Sequence, residues 1–246
     1  PTSAEVTISS LLNNFSLVRS LVGPAVKIMP VVKANANGHG INRVTRELLA
    51  AGADYVGVAY LEEALFLRRE GIAAPILVLG AINTEQIRDF ILNDIDITTS
   101  SMDKSRAVSR TAIELGRNAR VHIKIDTGME RIGVHWYNAI PFIEETFSLP
   151  GIQVAGIFSH LAKAESDREF TVEQIHRFDG VVNHARRMGL DPGLVHLANS
   201  AAIMNYPESH YSMVRPGIML YGYNPAGYDP GSRYNGMTLK PVMSLK

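Results

Sequence analysis

Short apolar runs alternate with amphipathic stretches along almost the whole of this 246-residue chain, and that rhythm leaves few architectures open. The runs 26–32, 55–59, 76–79, 95–98, 120–126, 152–158, 194–197 and 213–215 are mostly apolar and bounded by Gly, Pro or polar turns, as strands of a covered parallel sheet are. Between them, 41–51, 61–70, 84–92, 101–115, 138–147, 167–188 and 200–205 have helical character, the first of these stopping at Gly52. Ahead of the first strand, Ile8, Leu11, Leu12, Phe15 and Val18 recur at helical spacing, so 9–22 is expected to be an amphipathic helix opened by a cap at Ser9. About eight strand–helix units in succession suit right-handed parallel crossovers, and the expected fold class is α/β, a closed (β/α)8 TIM-type barrel over 9–223. A doubly wound open sheet would carry a dinucleotide glycine fingerprint after its first strand. Gly38-His39-Gly40 lacks the third glycine at the needed distance.

Charge and composition narrow the partners. Lys and Arg total 24, as do Asp and Glu, so no nucleic acid partner is implied. There is no cysteine, which excludes disulfides and thiolate metal sites and suits a reducing cytoplasm; no metal is expected. No apolar run approaches a membrane span, and residues 1–10 do not form a signal peptide. The polar stretch 224–236, rich in Gly, Pro and Tyr, is the expected domain boundary. Beyond it, 236–246 is extended and apolar and stops without a turn or partner, although a lone strand cannot satisfy its backbone. The segments 1–8 and 236–246 are therefore expected to belong to an incomplete β-rich second domain.

A barrel places its chemistry at the carboxyl ends of the strands. Lys33, Arg131, His160, Asn199, Ser200 and Arg215 all end or follow expected strands. A lysine that loses its hydration becomes a nucleophile toward aldehydes, although a lysine at a strand end is more often simply solvated. Asn199-Ser200 and Gly217-Ile218 follow the last two strands, where barrels often build a phosphate site; on spacing alone Ser200 reads equally as a helix cap. Alternation along 120–126 puts His122, Lys124 and Asp126 on one face. If that face looks inward, Lys124 needs a negative neighbour.

Val32-Lys33-Ala34-Asn35-Ala36 followed by Gly38-His39-Gly40 resembles the pyridoxal-phosphate lysine signature of alanine racemases. Four further motifs match in the same order: Lys124-Ile125-Asp126-Thr127-Gly128-Met129-Glu130-Arg131-Ile132-Gly133, Ser159-His160-Leu161-Ala162, His196-Leu197-Ala198-Asn199-Ser200-Ala201, and Met213-Val214-Arg215-Pro216-Gly217-Ile218. The resemblance implies an isomerase that uses pyridoxal 5'-phosphate to convert L-alanine to D-alanine for cell-wall peptidoglycan. Lys33 would join the cofactor as an imine and, once displaced, act as base at the α-carbon. Ser200, Gly217 and Ile218 are assigned to the cofactor phosphate, with Asn37 and Asn199 alongside. Arg215 is assigned to the pyridine nitrogen and His160 to a place beside the ring, linked to that arginine, with His196 behind them. An arginine does not readily give up its proton, so the ring would be a weaker electron sink, which suits racemisation better than transamination. His39 reads as a turn residue supporting Lys33.

The same resemblance gives Arg131 the cofactor phenolic oxygen and the substrate carboxylate, and gives Met129 the pocket for the substrate side chain. Lys124 matches a lysine that can be carboxylated to an anion orienting Arg131; a salt bridge to Asp126 or another acid is the alternative. The second acid or base is a tyrosine from the other subunit of a head-to-tail homodimer, so this chain alone is expected to racemise poorly. Two positions depart from the family pattern. Asn37 replaces a tyrosine whose hydroxyl supports the phosphate, and Glu130 puts a negative charge where glycine is frequent. Two other readings stay open: a non-catalytic pyridoxal-phosphate carrier barrel, and a racemase for serine or another amino acid.

Overall fold

The computed structural model describes residues 3–225, 233–234 and 237–246. In chain order its strands are β1 (Ala4–Val6), β2 (Lys27–Ile28), β3 (Val56–Val58), β4 (Ile76–Val78), β5 (Ile97–Thr99), β6 (Ala119–Asp126), β7 (Val134–His135), β8 (Ile152–Phe158), β9 (Leu194–His196), β10 (Met213–Val214), β11 (Arg233–Tyr234), β12 (Met237–Thr238) and β13 (Met243–Leu245). Parallel pairing runs β5–β6–β8–β9–β10–β2, and β3 pairs with β4. Isolated parallel bridges, Val31 to Gly57 and Leu77 to Asp96, complete the ring. The result is a closed barrel of eight parallel staves, as the alternation predicts, with β7 lying outside it against the end of β6.

Helices cover the staves because each presents one apolar stripe. The helix Arg168–Arg187 buries Thr171, Gln174, Ile175, Phe178, Val181, Val182 and Ala185, and its first turn is capped by Asp167, which accepts from Phe170 N at 3.1 Å. Ser101 caps Met102–Leu115 in the same way. The opening helix corrects one expectation: it spans Ile8–Val22, and Ser9 lies inside it rather than capping it. Thr7 O accepts from Ser10 N and Leu11 N, and no side chain caps this end. The expected strand 26–32 is also shorter. Pro30 has no N–H to donate, so regular pairing stops at Ile28, although Met29 and Val31 still donate to Val214 O and Pro216 O.

The terminal segment has partners after all. β1 and β13 pair antiparallel, and Asn14, fully buried on the first helix, donates to Leu220 O (3.0 Å) and Lys240 O (2.8 Å) while accepting from Lys240 N (2.8 Å). Of the expected boundary 224–236, residues 226–232 and 235–236 lie outside the described residues, as do residues 1–2. No described helix is long and apolar enough to cross a membrane.

Candidate active site

Lys33 opens a turn of the wrong hand. Ala34, Asn35 and Ala36 have φ of 53°, 54° and 54° with ψ near 50°, and Asn37 follows at φ 49°. The segment is a left-handed helical turn closed by Ala36 N to Val32 O (2.8 Å) and Gly38 N to Ala34 O (3.0 Å). L-residues pay about 1–2 kcal/mol each in this region, so the surroundings must hold the turn. Asn35 Oδ1 accepts from Ile41 N (2.9 Å), His39 Nδ1 lies 3.0 Å from Ala36 O, and Glu63 accepts from Ala34 N (2.6 Å) and Ala59 N (2.8 Å). Lys33 itself is exposed, so the desolvation considered from sequence is not what the fold provides here. Asn37 is likewise exposed.

The loop after β6 is built on one carboxylate. Asp126 accepts the backbone N–H groups of Gly128 (2.8 Å), Met129 (2.9 Å), Glu130 (3.2 Å) and Arg131 (3.1 Å). Burial alone would raise its pKa, but these four amides hold it below the ordinary carboxylate range. The loop thus presents Met129 and Arg131 to a small cavity lined by Lys124, Ile125, Asp126, Met129, Arg131, Ile132, Ser159 and His160. The oxygens of Asp126 are committed to amides, and the Lys124 amine sits 4.3 Å above the Phe158 ring, with the charge of Asp126 acting on it only against larger opposing effects. Burial first, then the charges of Arg215 and Arg131, push the Lys124 amine well below the usual lysine value.

His160 and Arg215 meet inside the same mouth. Arg215 is 3 % exposed and donates to Ser159 O (2.6 Å) and Leu197 O (3.0 Å); its Nη2 lies 3.3 Å from His160 Nδ1 and its Nη1 2.9 Å from His196 Nδ1. Burial pushes its guanidinium down to about 9, which leaves it cationic at neutral pH. Burial, followed by the charges of Arg215, Lys124, Arg131 and Lys33, holds His160 well below the usual histidine value, so its ring is neutral.

At the ends of β9 and β10, Asn199 rather than Ser200 caps the following helix, accepting from Ala202 N at 3.1 Å. The Ser200 hydroxyl instead accepts from Gly217 N (2.9 Å) and Met219 N (3.4 Å), bringing the two segments of the expected phosphate site together. Ile218, 46 % exposed, begins a short 3-10 turn beside them. Two supporting residues escaped the sequence reading. Glu63 fastens the left-handed turn to the next stave, and Gln174 joins two strand-end loops through Ala162 N (2.9 Å), Thr127 Oγ1 (3.1 Å) and His160 O (3.2 Å). Glu63 stands third in its helix, the position of a capping-box acid, which is the one signal that was available. Gln174 offered none.

Residues 6–225 match the family model described as "Alanine racemase, N-terminal domain". The chain belongs to the alanine racemase family. It is 40 % identical over 248 residues to an alanine racemase of Methanococcus maripaludis, covering 100 % of this chain and 66 % of that protein. It is equally 40 % identical to alanine racemase 2 of Caldanaerobacter subterraneus subsp. tengcongensis, covering 63 % of that protein. The chain therefore spans just under two thirds of the length of these relatives. Among solved structures, alanine racemase of Clostridium difficile 630 in complex with cycloserine superposes with a TM-score of 0.94 at 35 % identity, covering 100 % of this chain and 67 % of that one. The Bacillus anthracis alanine racemase with bound L-Ala-P gives 0.91 at 32 % identity, covering 99 % and 63 %. Pyridoxal phosphate is the cofactor of this family, and the donor set suits it: a primary amine, a hydroxyl with neighbouring amides, a neutral imidazole and a buried guanidinium.

Proposed function

We propose that this chain is the cofactor-binding barrel of a pyridoxal-phosphate-dependent alanine racemase, interconverting L- and D-alanine. The observation that carries the reading is convergence. Lys124, Arg131 and His160, from the ends of β6 and β8, line one cavity, and Arg215 from the end of β10 reaches His160 at 3.3 Å, with Lys33 past the end of β2 on the same mouth of the barrel. When bound, the cofactor draws electrons from the α-carbon of an attached amino acid and makes its C–H acidic. Lys33 would hold the cofactor through its Nζ and, once free, accept the α-proton at that atom. Ser200, Gly217 and Ile218 would bind the phosphate, flanked by Asn37 and Asn199. Arg215 would stand against the pyridine nitrogen with its proton kept, and His160 would lie beside the ring. Arg131 would take the substrate carboxylate and Met129 would bound the side-chain pocket, which suits a small substrate.

Lys124 fits the same scheme as a carboxylated residue. Its environment disfavours the ammonium, and a neutral amine adds carbon dioxide with loss of one proton, giving an anion that would answer the positive charges of Arg215 and Arg131. We assign 9–223 to the barrel and 1–8 with 236–246 to a second, β-rich domain. A homodimer would supply the acid for the opposite face of the α-carbon, and the protein would work in the cytoplasm to supply D-alanine. A carrier barrel is not favoured, because the matching model is that of a racemase domain. The test is borohydride reduction of the chain with added pyridoxal phosphate, followed by peptide mapping. An adduct on Lys33 is expected, and an adduct elsewhere or none overturns the reading. Alanine racemisation by the chain alone is expected to be slow, and full activity would refute the missing opposite-face acid.

A further inference from the structure

Behind Arg215 runs a line of buried polar side chains that the proposed chemistry leaves without a task. His196 Nδ1 lies 2.9 Å from Arg215 Nη1, His196 Nε2 lies 2.9 Å from His122 Nδ1, and His122 Nε2 lies 3.2 Å from Asp96 Oδ2. His122 and His196 are completely buried and Asp96 is 1 % exposed. Asp96 also accepts from Arg120 Nε (2.9 Å) and from the Tyr55 hydroxyl. The line therefore crosses the barrel interior from the floor to the mouth.

Its protons admit one arrangement. A guanidinium only donates, so His196 Nδ1 must accept, and the single proton of that neutral ring sits on Nε2. Nε2–H then donates to His122 Nδ1, which must accept in turn, leaving the His122 proton on Nε2 and directed at Asp96. A second proton on His122 would set two N–H groups against each other in the barrel core. Burial and the neighbouring charge of Arg215 hold His196 well below the usual histidine value, in keeping with a neutral ring. Asp96 is suited to end the line. Its carboxylate takes hydrogen bonds from His122, Arg120 and Tyr55 together. The backbone makes room as well. The register of β6 against β8 shifts between Val121 and His122, and a Cβ on Gly156 would lie 2.5 Å from His122 Nδ1. Phe158 stacks on His196 at 4.7 Å and fixes its plane.

We propose that Asp96, His122 and His196 form a one-way hydrogen-bond relay that positions Arg215 and keeps its remaining N–H groups directed at the mouth. The consequence for the cofactor rests on the reading given above for Arg215; the relay itself does not. All three are positioning residues.

The test uses the whole chain with 15N-labelled histidine rings and no cofactor, read by two-bond 1H–15N correlation, the rings being assigned from His122 and His196 variants. Both rings should carry one proton, on Nε2; a proton on Nδ1 of either, or a doubly protonated His122, overturns the relay. In Asp96→Leu the His122 Nε2–H loses its acceptor, so its 1H–15N signal should shift while His196, pinned by Arg215, keeps its proton on Nε2; Asp96→Asn keeps a carbonyl acceptor and should restore the His122 signal. An unchanged His122 signal in Asp96→Leu would leave Asp96 with a packing role only and sink the proposal. If that variant does not fold, His122→Phe makes the same break one step nearer Arg215. Absorbance titration with pyridoxal phosphate should then show affinity reduced about tenfold in the variant whose relay is cut and kept in Asp96→Asn. Unchanged affinity in the variant whose relay is cut refutes the positioning of Arg215. A wild-type chain that binds no pyridoxal phosphate yet shows the expected tautomers refutes the cofactor reading alone.

Discussion

Replacing Asp126 by asparagine tests whether one carboxylate organises the substrate end of the site. Oδ1 accepts three backbone N–H groups and Oδ2 a fourth, that of Arg131. In Asp126→Asn the amide oxygen can keep the first three, but each falls from a charge-assisted bond to a neutral one, a loss of about 1 kcal/mol apiece. The amide nitrogen then faces the Arg131 N–H, donor against donor. The first three bonds alone give a destabilisation of about 3 kcal/mol, equivalent to roughly 6–12 °C in Tm for a chain of this size, and the lost fourth adds to it. The pH dependence has a definite sign. Because the folded carboxylate lies below its unfolded value, its contribution is complete above the unfolded value of about 4 and is lost as pH falls through the lower folded one. Urea unfolding of both proteins at pH 7 and at successively lower pH measures the gap. It should stay constant to about pH 5 and close below it, and a difference under about 0.5 kcal/mol at pH 7 would refute the reasoning.

Glu130→Gly should stabilise the fold by about 0.5–1 kcal/mol in denaturant, because residue 130 sits at φ 56° and its ion pair with His135, at 3.6 Å, is exposed. Asn14→Leu leaves the Leu220 and Lys240 carbonyls and the Lys240 N–H unpaired, so urea unfolding should show a loss of about 3 kcal/mol. Ser200→Ala removes the acceptor for the Gly217 and Met219 amides together with the hydroxyl proposed to bind the phosphate. Pyridoxal phosphate affinity, followed by absorbance, should fall about tenfold while the fold persists.

The barrel was legible because its periodicities are local. Ile152–Phe158 and Ser200–Asn205 fall where apolar spacing puts them, and other boundaries shift by a residue or two. Pro30 cut the first strand short by a rule that the sequence did contain. Two kinds of feature were not readable. Ala34-Asn35-Ala36 has no glycine to announce a left-handed turn, since a bond to Glu63, 29 residues away, together with the His39 side chain, holds it against local backbone preference. The contacts of His122 with Asp96 and His196 span 26 and 74 residues, and only barrel closure creates them. The role of Asp126 was hidden for a related reason. A carboxylate at a strand end looks like chemistry, whereas here it serves as the keystone of a loop.

The turn behind Lys33 is the mirror image of an ordinary helical turn, so it inverts the usual rules for building it. Peptide synthesis could place D-alanine at 34 and 36, where the enantiomer is the conformationally relaxed choice and would tighten the support of the lysine. Valine or isoleucine at either position would meet the opposite fate, since branching at Cβ is least tolerated in this hand. The Ala-Asn-Ala-Asn run is therefore a steric filter on what can stand beside the Lys33 amine.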